Sequence, residues 1–385
     1  MVWKSINVHT TGLALDRELK QHGVKRVQLS AHARKLKLEK DRAKIAHYRA
    51  LTKKVLDNKA EKVFTKEALQ DTTVLLDLNP EFNAVWNYRR NIFNHLFAGN
   101  VLDRCEALNT DLLVAMEMMK RFPKCYWIWN HRRWCLETLD ETKNADWNRE
   151  LAIVLKVLMM DSRNFHGWQY RRYVVSHLEQ EARSKEPHSG TELEISLREF
   201  QYTTETINKS TANFSAWHNR TKLIAKILKL LSENNLRMTT DEKATGVFQS
   251  ASKLLKHELN LVKTGMFMDA EDTSVWLYMQ WLLTDEIFVG ALPKDLYREL
   301  LQQQLKDVNE LNDLEKDDTG RDNVWCLKTI IFLKTLLSRE SDENDLSEHI
   351  IDNDVTAALN KLVELDPLRK GHYIDQLNGR AAIIC

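Results

Sequence analysis

The side chains that most often carry out chemistry in proteins form no recognisable catalytic or metal-binding pattern in this sequence. The five cysteines, Cys105, Cys125, Cys135, Cys326 and Cys385, include no Cys-x-x-Cys pair. The histidines provide no His-Glu-x-x-His motif, and no His/Cys cluster has the spacing of zinc ligands. No glycine-rich phosphate loop and no Ser-His-Asp or Cys-His arrangement is visible, although such triads assemble in space. The sequence therefore contains no complete active site that its motifs reveal.

The composition narrows the class of protein. Lys and Arg number 56 against 55 Asp and Glu, so the net charge of +1 favours neither nucleic acid nor a membrane surface as the main partner. An odd number of cysteines without a secretory start predicts reduced thiols in a cytoplasmic protein. No apolar run approaches the roughly 20 residues of a membrane span. Cys385 is the last residue, whereas a prenylation box needs its Cys fourth from the end.

Tryptophans followed by arginines recur along the chain and form its strongest pattern. Trp86, Trp129 and Trp168 are each followed, three and four residues later, by two arginines, and Trp217 is followed by one. The arginines are Arg89, Arg90, Arg132, Arg133, Arg171, Arg172 and Arg220. Weaker copies centre on Trp276, Trp325 and Tyr373. The centres lie 39 to 59 residues apart, a period typical of two-helix solenoid units.

Each copy predicts a helix, a short turn and a second helix that carries the tryptophan. Only 11 Gly and 5 Pro interrupt 385 residues, which favours helices. Before the third copy, Leu151, Val154, Leu155, Leu158 and Met159 repeat on one helical face. Seven residues before each centre we predict a break, mostly at helix-capping residue types. The breaks are Asn79, Phe122, Asp161, Ser210, Asp269, Asp318 and Asp366, and Pro80, Pro123 and Pro367 follow three of them, where they suit a first helical turn.

The repeated tryptophans and arginines have a structural interpretation. Residues three and four apart share one face of a helix, so each Trp and its arginines lie together. We predict that the Trp packs between neighbouring units, while the Arg caps backbone carbonyls or pairs with carboxylates of the next repeat. The tandem arginines are therefore predicted to be structural or subunit-interface residues rather than catalytic ones.

The chain divides into three predicted parts. Residues 1–29 form an irregular extension and arm, and residues 30–64 form an amphipathic N-terminal helix with Leu36, Tyr48, Leu51 and Val55 interspersed among charges. Residues 65–385 form the repeat solenoid. Polar stretches at 179–191, 232–245, 306–322 and 338–352 are interpreted as long loops or helix ends within that solenoid.

The motif of Asn or Asp, Pro, an aromatic residue and Trp-x-x-Arg-Arg resembles the repeat of protein prenyltransferase α subunits. The first three copies match closely, the fourth well and the last three loosely, over about residues 65 to 377. The resemblance implies an all-α fold, a right-handed α–α superhelix of about six to seven helical hairpins. It also implies a transferase subunit that is active only with a β subunit.

Within this family the chain is most similar to the α subunit of the Rab geranylgeranyl (type II) enzyme, in a compact fungal-type form without leucine-rich repeats. His22-Gly23 before a basic helix resembles the start of that subunit, although Gln21 replaces the expected Met. The resemblance implies that His22 can reach the zinc of the β subunit. The Pro-rich lead and the Tyr-Arg-x-Arg-x-Glu-Trp segment of the α subunit shared by farnesyltransferase and geranylgeranyltransferase type I are not found.

The resemblance also implies the reaction and the residues that serve it. A Rab cysteine attacks geranylgeranyl diphosphate, zinc is held by the β subunit rather than by this chain, and a Rab escort protein presents the Rab GTPase. Lys124 is expected to face the diphosphate, Tyr126 to donate a hydrogen bond beside the reacting groups, and His166 to lie near the diphosphate. Phe165 replaces the family tyrosine and removes a hydroxyl.

Two alternatives remain open at this point. The chain could be the α subunit shared by farnesyltransferase and geranylgeranyltransferase type I, or a non-catalytic helical scaffold. For the candidate residues the simpler interpretations are a surface lysine for Lys124, an aromatic staple of the repeat for Tyr126 and an ordinary packed histidine for His166. A scaffold would not require these three residues together.

Overall fold

A computed structural model describes residues 30–185, 190–233, 246–339 and 353–383. These residues are helical, and they contain no β-strand. No helix in these ranges has both the length and the apolar character needed to cross a bilayer. His22 and Cys385 lie outside the described residues. The chain divides into two compact units, and the boundary between them in the sequence lies between Leu178 and Glu179.

Unit one consists of one long helix followed by helical hairpins. Helix α2 pairs with α3, and α4 pairs with α5. Tyr170 on α7 donates a hydrogen bond to Glu150 on α6 at 2.8 Å and so joins the third pair. The helices are α1 (Ala31–Ala60), α2 (Lys66–Leu78), α3 (Asn83–Ala98), α4 (Arg104–Arg121), α5 (Tyr126–Asp140), α6 (Trp147–Met160) and α7 (Phe165–Lys185), which ends within unit two.

Unit two continues with helical pairs α8–α9, α10–α11, α13–α14 and α15–α16. The helices are α8 (Thr191–Lys209), α9 (Phe214–Glu233), α10 (Ala251–Met268), α11 (Thr273–Thr284), the short α12 (Glu286–Val289), α13 (Lys294–Thr319), α14 (Val324–Arg339), α15 (Asn353–Leu365) and α16 (Lys370–Leu377), with 3₁₀ turns at Gly246–Gln249 and Pro367–Arg369. The pairs confirm the predicted all-α fold of helical hairpins.

The predicted breaks end the first helix of most hairpins. Asn79, Phe122, Asp161, Ser210 and Asp269 follow the last residues of α2, α4, α6, α8 and α10. The prediction was wrong at one place, because Asp318 lies inside α13. That helix ends at Gly320, whose left-handed φ of 75° closes a helix without the strain a side chain would add. The polar stretch at 306–322 is therefore mostly a helix end.

Two of the three prolines lie slightly before the predicted position in the first helical turn. Pro80 and Pro123 lie in the turn, and the second helices begin three residues later, at Asn83 and Tyr126. Pro367 opens a 3₁₀ turn, as its fixed φ suits. The backbone carbonyls of Pro80 and Pro123 thereby stay free of helical bonding and accept side-chain hydrogen bonds.

Helix α1 packs only through its second half. Ser30 caps its start by accepting a hydrogen bond from the Ala33 N–H at 3.3 Å. Val55 is buried, and the Tyr48 hydroxyl accepts a hydrogen bond from Asn79 Nδ2 at 2.8 Å. Leu36, however, is 46% exposed. The predicted apolar face of α1 is thus buried at Val55 and partly buried at Tyr48, whereas Leu36 is exposed.

The repeated tryptophans bind the turn that precedes their own helix. Each is the fourth residue of its helix, is buried, and donates its indole N–H to the carbonyl six residues earlier. The pairs are Trp86 to Pro80, Trp129 to Pro123, Trp168 to Ser162, Trp217 to Thr211 and Trp276 to Ala270, at 2.6 to 2.9 Å. The tryptophan therefore closes its hairpin as well as filling the core, and this bond was not predicted.

The sixth copy was assigned to the wrong residue. Helix α14 begins at Val324, so its fourth residue is Leu327 rather than Trp325. Leu327 is buried in a core cluster with Ile331 and Leu359, whereas Trp325 is partly exposed. In the last copy Tyr373 is again the fourth residue of its helix, and its hydroxyl donates to Asp366 at 2.7 Å.

Three arginines of the repeat connect successive hairpins. Arg132 on α5 donates to the Leu112 carbonyl of its own hairpin at 2.9 Å and to the Glu150 carboxylate of the next hairpin at 2.6 and 2.7 Å. Arg89 makes the same two kinds of bond with Leu69 and Asp111. Arg220 does so with Phe200 and Glu258. Each of these three arginines therefore joins its own hairpin to the next one.

Candidate functional site

Lys124 lies in the turn between α4 and α5, at one end of unit one. Its side chain is 78% exposed, and Nζ lies 3.7 Å from the Asp161 carboxylate at the end of α6. An ion pair this long and this exposed is weak. The ammonium group can therefore leave Asp161 for a more highly charged anion.

Tyr126 and His166 lie in contact beside this turn. Tyr126 is the first residue of α5 and His166 is the second residue of α7. Their ring centroids are 4.2 Å apart at an interplanar angle of 87°, so one ring edge meets the other face. Tyr126 is 55% exposed but His166 only 9%. The structure thus brings all three predicted residues together, with Lys124 and Tyr126 open and His166 beneath them.

Burial favours the neutral form of the His166 ring. It lowers the pKa of His166, while a hydrogen bond to the Lys124 backbone and the charge of Glu81 act in the opposite direction. A neutral imidazole has a single N–H to donate. The neutral ring packs against Tyr126 and lies 6.3 Å from the Trp129 ring between centroids.

A glycine lets α7 approach α6 beside the site. A Cβ on Gly167 would lie 2.9 Å from Leu158 Cδ2, which is too close for any larger residue without movement. Asn164, directly before α7, is buried and accepts a hydrogen bond from the Gly167 N–H at 3.0 Å. The Gly167–Leu158 contact packs the start of α7 against α6, and the Asn164 side chain caps that start.

Aromatic residues open three of the second helices without stapling the core. Tyr126, Phe165 and Phe214 are the first residues of α5, α7 and α9, and each is more than half exposed. A staple residue would be buried. The exposure argues against the simpler interpretation of Tyr126 as an aromatic staple, while Phe165 presents only an apolar ring.

Several residues of the site were not predicted. Asn164 Nδ2 donates to the Pro123 carbonyl at 3.2 Å, and the Cys125 thiol donates to the Pro80 carbonyl at 3.3 Å. Burial raises the pKa of Cys125 to about 11, so this thiol is not an activated nucleophile. The only sequence signal was position, because both residues directly precede a second helix.

Among the described residues, Asp111, His131 and Cys135 are the group whose ligand atoms lie close enough for a metal ion. The group does not fit a cation. Arg89 contacts Asp111 directly, its Nε lying 3.1 Å from both carboxylate oxygens, and all three potential ligands are buried. A metal would meet the guanidinium charge at that carboxylate, so this cluster is part of the repeat core.

Comparison with known proteins decides the family. The model of the protein prenyltransferase alpha subunit repeat matches residues 65–96, 108–139, 147–178 and 196–227. A Candida albicans protein, geranylgeranyl transferase type-2 subunit alpha, is 46% identical over 94% of this chain and 99% of its own length. The chain belongs to the protein prenyltransferase α-subunit family. The four matched segments coincide with the hairpins α2–α3, α4–α5, α6–α7 and α8–α9.

Further relatives place the chain within this family. The Saccharomyces cerevisiae protein of the same type-2 name is 34% identical over 92% of this chain and 98% of its own length. The Schizosaccharomyces pombe protein of that name is 36% identical over 91% of this chain and 96% of its own length. Homology thus places the chain among the type-2 α subunits, and so among transferase subunits. This confirms the type II interpretation over the type I and scaffold alternatives.

A solved structure supports the fold of this prenyltransferase α subunit. Candida albicans protein geranylgeranyltransferase-I complexed with GGPP aligns with a TM-score of 0.59 and covers 87% of this chain and 91% of that chain. The two share 20% identity, so the likeness concerns the fold alone. An α subunit implies a β-subunit partner.

Proposed function

We propose that this chain, with a β subunit, transfers a geranylgeranyl group from geranylgeranyl diphosphate to C-terminal cysteines of Rab GTPases presented by a Rab escort protein in the cytoplasm. The observation that supports this most is the 46% identity, over nearly the whole chain, to a geranylgeranyl transferase type-2 α subunit. The open position of Lys124 and Tyr126 above His166 adds a place for the leaving group.

In this reaction a bond forms between the cysteine sulfur and C1 of the lipid, while the bond between C1 and the diphosphate oxygen breaks. The diphosphate leaves with the bonding electron pair, and the thiol has already lost its proton. Zinc, held by the β subunit, would lower the pKa of that thiol. This chain's contribution is to stabilise the charge that develops on the departing oxygens.

Lys124 is the residue that we expect to carry out that stabilisation. An ammonium acts as a compact point charge on a flexible stem, which suits a moving diphosphate. Its partner Asp161 lies 3.7 Å away in an exposed ion pair. Such a pair contributes little free energy, so exchanging Asp161 for a diphosphate costs little. The exposed Tyr126 hydroxyl would donate a hydrogen bond to the same group.

Exposed apolar residues around the turns of unit one fit a protein partner. Met159 is 76% exposed and Met160 67%, both at the end of α6, and Phe165 follows at the start of α7. Adjacent exposed apolar side chains of this size mark interaction surfaces. We assign this surface to the β subunit, so that zinc and lipid would lie opposite Lys124. His22 would extend to that zinc.

The test is to co-express this chain with a Rab-type β subunit and to measure transfer of labelled geranylgeranyl to Rab, with and without escort protein. Escort-dependent transfer that needs both subunits is expected. A complex that instead modifies free C-terminal peptides, or no complex with any prenyltransferase β subunit, would contradict the proposal.

Within that complex, Lys124→Ala should lower kcat/KM by about 10- to 100-fold, because a charge next to the developing oxyanion is lost. The heterodimer should remain intact. Lys120→Ala is the matched control, since Lys120 is a half-exposed lysine near this turn and pairs with Glu117. His22→Ala should reduce zinc retention if the arm reaches the metal, and unchanged retention would remove His22 from that role.

A further inference from the structure

Helix α1 carries a concentrated positive charge. Its residues Ala31–Ala60 include ten Lys and Arg but only three Asp and Glu, whereas the whole chain has 56 and 55. The near-zero net charge of the chain does not reveal this helix, because the rest of the sequence has more acidic than basic residues. Lys53 and Lys54 pair with Asp57 and Asp71, but the other cations of α1 have no ion-pair partner among the described residues. Most of this positive charge is therefore available to an anionic partner.

The basic first half of α1 is also exposed. No residue between 31 and 47 is buried, and Val55 is the one buried residue of the helix. The first turn contains no acidic residue, and Arg34 and Lys35 stand where the helix dipole favours negative charge. An anion near the start of α1 would therefore stabilise the helix as well as neutralise its side chains.

An apolar stripe runs along the exposed side of the same helix. Leu38, Ile45 and Leu56 are 52%, 50% and 37% exposed. A helix turns by about 100° per residue, so these three positions point within about 20° of one another, and the buried face lies about a quarter turn away. Arg42 and Arg49 lie directly beside the stripe, and both are exposed. Apolar side chains bordered by arginines thus form one exposed face of α1.

The composition of this face fits a lipid bilayer better than a protein or a nucleic acid. Three apolar side chains are too few to bury the roughly 800 Å² per partner of a stable protein interface. A nucleic acid would bind the cations but leave the apolar stripe in water. A narrow apolar stripe bordered by Arg and Lys is typical of helices that lie in the plane of a membrane surface, where anionic lipids attract the cations.

We propose that this face of α1 binds the surface of an anionic lipid bilayer. Leu38, Ile45 and Leu56 enter the boundary between headgroups and acyl chains, and Arg42 and Arg49 contact the anionic headgroups. Each cation near such a surface strengthens binding by roughly fivefold, so the ten cations of α1 compensate for the shortness of the stripe. This binding is independent of the transfer reaction, although a bilayer is also where a geranylgeranylated product inserts its lipid.

Vesicle flotation of the α–β complex, without Rab or geranylgeranyl diphosphate, tests this role. Vesicles of equal parts phosphatidylserine and phosphatidylcholine should bind the complex, and vesicles of phosphatidylcholine alone should not. Raising the salt from about 0.1 M to about 1 M should abolish most of the binding, because it shortens the range of the attraction from about 10 Å to about 3 Å. The full-length chain alone repeats the test if no complex forms, so a failure of the proposed transfer reaction is distinguished from a failure of membrane binding.

Two double variants separate the contributions of charge and of apolar surface. Arg42→Gln/Arg49→Gln should lower the vesicle partition coefficient by at least about tenfold, because two cations beside the stripe are lost. Leu38→Gln/Ile45→Gln keeps the charge and should lower the coefficient by at least about fivefold, because the apolar surface that enters the bilayer is lost. All four side chains are exposed, so the unfolding temperature should stay unchanged in both variants.

Lys120→Gln/Lys156→Gln is the matched control, because it removes the same charge from exposed lysines of α4 and α6. It should change vesicle binding by less than about twofold. An equal loss from this control, or equal binding to neutral vesicles, would overturn the role of α1. Unchanged binding by the apolar double variant would also overturn it, since charge alone would then account for the attraction. Tighter binding to single-stranded RNA than to the anionic vesicles would make α1 a nucleic-acid site instead.

Discussion

The individual residues that matter most for stability are the buried arginines and the carboxylates that they bind. Glu150 accepts hydrogen bonds from Arg132 of the preceding hairpin and from Tyr170 of its own. Glu258 occupies the same place between Arg220 and Tyr278. Although burial alone would raise the pKa of Glu258, Arg220, His257 and Tyr278 hold it at about 2. Glu258 therefore stays charged in the core, and each of the two carboxylates joins two hairpins.

Arg132→Met should lower the free energy of unfolding by about 3–5 kcal/mol, because it leaves the Glu150 charge buried without its guanidinium partner. Urea unfolding of the purified chain measures the loss. The neighbouring Arg133→Met is the matched control. Its partner Glu137 is exposed at 3.5 Å, so about 0–1 kcal/mol is expected. Equal losses from the two variants would contradict the structural assignment.

A buried histidine makes the stability of the chain sensitive to mild acid. His131 packs between Trp86 and Trp134, and burial lowers its pKa more than Asp111 raises it. The folded chain thus takes up this proton less readily than the unfolded chain. Stability from this group is complete above about pH 6.5, the usual histidine pKa, and declines as the pH falls below it.

The pH effect can be measured by urea unfolding at pH 7.5 and pH 5.5. Wild-type protein should be less stable at the lower pH, and His131→Asn, which keeps a donor for Asp111, should reduce the difference. His372→Asn, on an exposed ring, is the control. The interpretation is wrong if His131→Asn shows the full wild-type pH dependence.

At the scale of the helix and turn, the residue directly before the second helix joins neighbouring turns in two of the hairpins. Cys125 and Asn164 each donate to the preceding hairpin's turn. Asp272 occupies the same position before α11 and caps it by accepting from the Ser274 N–H at 3.0 Å. Its second oxygen, Oδ2, is buried and has no hydrogen-bond partner among the described residues. A carboxylate cannot donate where the repeat requires a donor.

Asp272→Asn should therefore raise the free energy of unfolding by about 1 kcal/mol, since the amide keeps the cap and adds a donor. Asp269→Asn, three residues earlier and exposed, should change stability by less than about 0.5 kcal/mol. Thermal and urea unfolding both report the difference. A loss of stability in Asp272→Asn would show that Oδ2 does not face a carbonyl.

The corrected register of the sixth copy gives another prediction. Leu327→Ala should destabilise the chain by about 2–5 kcal/mol, because it empties a fully packed site beside Ile331 and Leu359. Trp325→Ala should cost less, although it removes more atoms, since that side chain is partly exposed. The opposite order of the two losses in urea unfolding would restore Trp325 as the centre of the copy.

At the scale of the whole molecule, the chain is one partner of an enzyme rather than an enzyme alone. The candidate residues Lys124 and Tyr126 lie on an open surface of unit one. Family membership and an exposed apolar rim both fit a subunit whose chemistry is completed by a second chain. In the proposed function, the β subunit binds the lipid and the zinc, and this chain stabilises the charge on the departing diphosphate.

The double variant Met159→Gln/Met160→Gln should weaken binding to the β subunit by about tenfold or more and leave the unfolding temperature of the isolated chain unchanged. Both side chains are mostly exposed, so their apolar surface contributes to binding and not to the core. Leu113→Gln, an equally apolar exposed position within α4, is the control. Titration calorimetry with purified β subunit measures the change, and unaltered affinity would exclude this surface.

The sequence by itself determined the helices, the hairpins and the family. Helical periodicity, caps and the Trp-x-x-Arg-Arg spacing involve residues within about one or two turns of one another, so they can be seen without knowing the fold. The same local pattern identified Trp86, Trp129, Trp168 and Trp217 as core residues. It failed at Trp325, because the start of α14 depends on where Gly320 ends the long helix α13.

Only the tertiary structure decided which residues meet across hairpins. Arg89 pairs with Asp111, which follows it by 22 residues, and Arg220 pairs with Glu258, which follows it by 38 residues. The separations differ because the turns differ in length between copies. The contact of His166 with Tyr126 likewise joins two hairpins. Such pairings depend on how neighbouring helices pack, and no local sequence period encodes that packing. The sequence could therefore name Lys124, Tyr126 and His166, but it could not show that His166 is buried beside the exposed Tyr126.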